Sequence, residues 1–150
     1  LCDRRQRQMC IRDSDPIDRP LWMHMALVAA KRCGIRTVET DLEHEMGENI
    51  LFTRRADRRE PLGWRLSPAH TLEWNPSAQG RGLTMDGRRR LSCADDAIPY
   101  ARYFGLTVSD AKGILMEMRR ILSGWEGLAE EFGADPRDIA YMAPLFEENL

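Results

Sequence analysis

No stretch of this chain approaches the roughly 18 consecutive apolar residues that a membrane-crossing helix needs, and nothing in it reads as a signal peptide. A cytoplasmic protein is therefore expected. Cysteine is sparse and dispersed. The four thiols, Cys2, Cys10, Cys33 and Cys93, include no close pair and no histidine at finger spacing, which argues against a zinc site or a disulfide framework and for free thiols in a reducing compartment. The glycines Gly80 and Gly82 lack the strand-to-helix setting and the lysine of a phosphate-binding loop. An Asp followed by His and Asn at loop spacing is also missing, so no candidate general base emerges. Aromatic residues make up 7% of the chain, and the interleaved stacking aromatics of a nucleic-acid module are not among them.

What is present is ordinary for a globular chain. The 150 residues are enough for one domain, or for a lobe of a larger one, with a substantial core. The net charge of −2 is unevenly spread: residues 1–90 hold 17 Arg or Lys against 13 Asp or Glu, and residues 91–150 hold 5 against 11. A basic first part can orient toward an anionic partner, although solvated faces commonly produce the same asymmetry.

Residues 1–14 (LCDRRQRQMCIRDS) show no period and no apolar face. The run MCIRDS resembles the translation of a transposon-end adapter used in sequencing libraries, and this segment is expected to be disordered and outside the fold. Asp18 is placed to cap a helix, with Pro20 in the first turn where its missing N–H costs nothing. Leu21, Met25, Val28 and Ala29 recur at helical spacing, and Gly34 supplies the stop. The result is a helix of about three turns. Arg36 to Glu43 and Ile50 to Arg54 read as two strands joined by a turn at Gly47 to Asn49.

Further on, Gly63 to Leu66 reads as a strand that delivers a polar loop beginning at Ser67 and Pro68. Ser92 and Asp95 form a capping-box pair for a helix running to Phe104, with Pro99 expected to kink or split it. Thr107 and Asp110 repeat the device. The helix they open carries a stripe of Ile114, Leu115, Met118, Ile121, Leu122, Trp125, Leu128, Ala129 and Phe132, closed by Gly133. Asp135 and Pro136 cap a last helix in which Ile139, Tyr141 and Met142 are available for packing.

Three blocks, Gly63–Asn75 (GWRLSPAHTLEWN), Gly87–Leu106 (GRRRLSCADDAIPYARYFGL) and Ile139–Phe146 (IAYMAPLF), resemble the C-terminal lobe of the HipA-like toxin family, serine/threonine protein kinases of bacterial toxin–antitoxin modules. The resemblance also takes in Pro20–Arg58. It implies an α+β, mainly α fold: a short helix and β-hairpin over residues 15–60, an N-lobe remnant, joined to a helical kinase-like lobe over residues 61–150. It implies ATP and magnesium as the family's cofactors and an antitoxin-like protein as partner. In the family, Ser-Pro-Ala is followed by Tyr-Asp-Leu, whose Asp holds magnesium on the nucleotide phosphates. Here Ser67, Pro68 and Ala69 keep the frame, while His70, Thr71 and Leu72 fill the other three places.

Trp22 matches the family's helix aromatic, and Met23 stands where the helix glutamate would be. That carboxylate holds the phosphate-binding lysine in a kinase. After Arg58 and Arg59 come only Glu60, Pro61 and Leu62 before Gly63, where the family carries its catalytic loop. The chain is therefore expected to be catalytically inactive, a pseudokinase with neither metal nor nucleotide bound. Thr71 marks the degenerate metal position, and Glu73 is the nearby carboxylate that would have to replace it. His70 is expected to pack with its polar tip outward. Two non-enzymatic readings stand beside this one: an interaction module for an antitoxin-like protein, and a nucleic-acid binder through Arg54, Arg55, Arg58, Arg59, Arg88, Arg89 and Arg90, for which a solvated face is the plainer account.

Overall fold

The computed structural model describes the backbone of residues 6–7, and residues 16–54, 67–72, 74, 91 and 93–147 in full. The fold is α+β and mainly helical. Its centre is α1, Arg19–Arg32. Asp18 caps this helix by accepting the Leu21 N–H on Oδ1 at 3.2 Å, and Pro20 lies in the first turn. At the far end Lys31 and Arg32 complement the helix dipole, and Gly34 turns the chain away with φ +80°.

The apolar residues of α1 extend well beyond a single stripe, and so does its burial. Leu21 through Leu27 are all buried, as are Ala29 and Ala30. Two clusters share the helix. Leu21, Trp22, Met25 and Ala29 meet Trp125, Leu128, Ala129, Met142 and Phe146, while Met23 and Leu27 meet Leu51. The larger cluster therefore joins residues on both sides of position 60, so the hydrophobic core does not divide there.

The hairpin consists of β2, Thr40–Glu45, and β3, Glu48–Thr53, paired antiparallel from Thr40↔Thr53 to Glu45↔Glu48. The turn sits at Met46 and Gly47 instead of Gly47 to Asn49; the first strand starts and ends later than expected, and the second starts two residues earlier. Met46 has φ 54° and Gly47 φ 85°. A two-residue hairpin turn wants positive φ at both central positions to match the strand twist, and glycine meets this without strain.

A short strand, β1, Gln6–Arg7, pairs antiparallel with Phe52–Thr53 on the outer side of β3. This corrects the expectation that none of residues 1–14 would pack. An unpaired strand edge recruits backbone through N–H and C=O groups, for which side-chain pattern matters little.

In the second half, Ala94–Phe104 is a 3₁₀ helix. Its N-cap is Cys93, whose N–H donates to Asp96 Oδ2 at 3.4 Å, so the cap falls one residue later than the Ser92–Asp95 pairing expected. Pro99 does not split the segment. Instead the whole run takes the tighter winding, in keeping with a proline that has no N–H for an α-type bond.

The Thr107–Asp110 box forms as expected. Asp110 N–H donates to Thr107 Oγ1 at 3.1 Å and Thr107 N–H to Asp110 Oδ2 at 3.0 Å. The helix it opens, α2, Val108–Leu122, ends sooner than the apolar stripe suggested. Ser123 turns its hydroxyl back onto the Arg120 carbonyl at 2.8 Å, and Gly124 N–H bonds Ile121 O at 3.3 Å. A separate helix, α3, Trp125–Glu131, follows. The break re-aims the stripe: α2 has no buried residue, whereas Trp125, Leu128 and Ala129 of α3 all enter the core.

The last helix, α4, Pro136–Glu147, starts as expected, with Asp135 Oδ1 accepting the Arg137 N–H at 2.8 Å. Met142 and Phe146 are buried. Tyr141 is 41% exposed and does not join the core.

Candidate functional site

Residues 67–74 carry the motif singled out by sequence, and three anchors set their course. Ala69 forms a parallel bridge with Thr37: Val38 N–H donates to Ala69 O at 3.0 Å and Ala69 N–H to Arg36 O at 2.9 Å. Leu72 packs on the Met23, Leu27 and Leu51 cluster. Trp74 sets its ring edge-on to Trp22, centroids 6.1 Å apart, and to Phe146 at 4.9 Å. Between the first two anchors His70 and Thr71 stand exposed.

His70 is thus a solvent-facing side chain and not the packed residue expected, because its neighbours Ala69 and Leu72 already hold this short loop down. Ser67 is exposed too and turns its hydroxyl onto the Pro68 carbonyl at 3.1 Å. Glu73 lies outside the described residues.

Trp22 and Met23 come to the base of the same loop, Trp22 against Trp74 and Met23 in the cluster that Leu72 packs on. Trp22 is core, 2% exposed, and donates Nε1–H to Asp138 Oδ2 at 3.4 Å. Met23, 7% exposed, makes apolar contact with the Leu27 and Leu51 cluster in the place assigned to a carboxylate. A magnesium ion takes one or two carboxylates with phosphate oxygens. The exposed donors here are an imidazole and a hydroxyl, so residues 70–72 do not fit that ion. Among the described residues no group of three or more His, Cys, Asp or Glu is placed to hold a metal.

Of the seven arginines considered for anion binding, Arg54 is described and the other six lie outside the described residues. Its Nη1 donates to Glu39 Oε2 at 2.6 Å and its N–H to the Glu39 carbonyl at 2.9 Å. That pair is exposed on both sides, so solvent screens it.

A second surface, at residues that the sequence reads as the end of one helix and the start of the next, lies where the 3₁₀ helix meets α2. Tyr103 is 71% exposed, Phe104 65%, Leu106 36% and Val108 54%. Tyr100 stacks on Tyr103 with centroids 6.3 Å apart, and the Arg102 guanidinium sits 5.3 Å from the Tyr103 ring centre. Glu117, exposed on α2, is held below the usual carboxylate range by its two hydrogen bonds from Arg120, at 2.6 and 2.8 Å. Arg119 reaches across to Asp95 at 2.5 Å and ties α2 to the 3₁₀ helix. The only sequence signal for this surface was the adjacency of Tyr103 and Phe104 just before Gly105.

No protein-family model matches the chain, and neither a curated protein nor a solved structure matches it. Among the described residues no helix is long and apolar enough to cross a membrane.

Proposed function

We propose that this chain is a non-catalytic lobe of the HipA-like toxin kinase type, acting in the cytoplasm by binding an antitoxin-like protein. The contact surface is the run Tyr103 to Val108. The observation that carries this reading is the exposure of four large apolar side chains within those six residues. Clustered exposed apolar groups mark protein contact sites, and aromatic side chains are the usual anchors of such contacts. Two facts support the absence of phosphoryl transfer. Met23 fills the glutamate place with buried apolar contact, and His70, Thr71 and Leu72 bring no carboxylate to the metal place. Phosphoryl transfer depends almost wholly on positioning and charge neutralisation, so both losses bear directly on rate.

The test is titration calorimetry against the product of the neighbouring open reading frame, using the native chain and a Tyr103→Ser, Phe104→Ser double variant. Binding by the native chain, weakened at least about tenfold in the variant while its circular dichroism stays unchanged, is the expected result. Equal binding by both chains would sink the assignment, and so would self-association through the same residues in place of partner binding. Robust transfer from radiolabelled ATP, rising with added magnesium, would overturn the non-catalytic reading.

A further inference from the structure

His24 lies in the middle of α1, 8% exposed, in the company of apolar residues. Its ring stands edge-on to Phe132, just past the end of α3, with centroids 4.9 Å apart and planes at 86°. Its Nδ1 is buried without a hydrogen-bond partner. Neither loop site uses this residue, and an apolar side chain would fill the same space.

We propose that His24 is a proton-operated wedge in the seam between α1 and α3: the neutral ring packs against Phe132, and proton uptake from solvent forces the seam open. The neutral ring tolerates its surroundings at modest cost. An imidazolium there would bury a charge and leave Nδ1 a donor with no acceptor, both unfavourable in a buried seam. Among charged groups on the elements packed around it, Asp41 of β2 acts on the ring through space and favours the charged form. Glu131 of α3 is engaged with Arg32 of α1 at 3.6 Å. Burial outweighs Asp41 and pushes the imidazole below its ordinary value.

The unfolded chain then takes the proton more readily than the folded one. Stability from this residue is whole above about pH 6.5 and falls as pH drops toward the lower value of the folded ring. Phe132 leads through Gly133 into α4, which supplies Met142 and Phe146 to the core. An opened seam therefore loosens the helical half from its centre. This inference is independent of the partner-binding reading.

The experiment is thermal unfolding of the full chain from pH 8 to pH 5, run beside His24→Leu, His44→Gln and His70→Gln, with an NMR titration of labelled histidine and phenylalanine rings. Below pH 6.5 the native midpoint is expected to fall by about 4 °C for each tenfold difference in proton affinity between folded and unfolded chain. His24→Leu should flatten that response, and the other two variants should keep it. The Phe132 resonances should move with the His24 midpoint. A native His24 ring that titrates at or above pH 6.5 overturns the proposal, and so does a Phe132 ring that ignores the titration. Equal acid sensitivity in His24→Leu does the same; should that variant fail to fold, the two ring titrations decide.

Discussion

Trp22 of the first helix and Asp138 of the last are bonded to each other, indole Nε1–H to Oδ2 at 3.4 Å, across 116 positions of sequence. The same Oδ2 accepts the Asp18 N–H at 3.0 Å, and Asp18 Oδ2 accepts from Asn49 Nδ2 at 2.6 Å. One chain of polar contacts thus joins the start of α1, the hairpin and α4.

Asp138→Ala should cost about 1–3 kcal/mol in urea unfolding, because it strips two partly buried donors of their acceptor. Asp138→Asn keeps an acceptor oxygen and should cost less. If alanine and asparagine are both neutral, the bond does not hold the two ends of the chain together.

Met23→Leu keeps volume and polarity in the cluster with Leu27 and Leu51 and should cost under about 1.5 kcal/mol. Met23→Glu restores the carboxylate of the kinase pattern but buries it among apolar side chains. It should destabilise by about 3 kcal/mol or more, without producing phosphoryl transfer. Recovered ATP-dependent activity in that variant would reverse the reading of the position.

Met142 is fully buried in the larger cluster, so Met142→Ala should cost about 2–5 kcal/mol through lost transfer energy and the cavity left behind. Tyr141, its neighbour on α4 and 41% exposed, should lose clearly less on substitution by alanine. The contrast between adjacent positions, read from denaturation midpoints, checks the orientation of the last helix.

Thr107→Ala removes the hydroxyl that caps α2 and should cost about 1 kcal/mol. The Asp110 carboxyl is held below its ordinary value, first by the Thr107 side-chain bond and then by the Thr107 N–H. Its contribution is present above the ordinary carboxylate range and is lost as pH falls through the depressed value. The helical circular dichroism signal should therefore lose acid sensitivity below the ordinary carboxylate range in Asp110→Asn, with pH 7 as the reference.

Local rules were legible wherever one residue answers one neighbouring backbone group. Asp18, Pro20 and Gly34 bounded α1, Thr107 and Asp110 opened α2, and Asp135 and Pro136 opened α4. The loop at Ser67 was likewise written in its residues. The exposure of His70 was not, because it depends on Ala69 reaching Thr37 and Leu72 reaching the cluster around Met23. The shift of the cap from Ser92 to Cys93 was equally hidden, since two overlapping pairs three residues apart satisfy the same rule and winding chooses between them.

By itself, then, the sequence determined α1, the presence of the hairpin and the starts of α2 and α4, since these are settled within four or five residues by hydrogen bonding and side-chain period. The tertiary structure decided that α1 is buried on so much of its surface, that Trp125, Leu128 and Ala129 enter the core while α2 buries nothing, and that Tyr103 and Phe104 face outward. Burial is a property of what several distant segments leave uncovered once packed together, and a helical period read along one segment carries no record of the others.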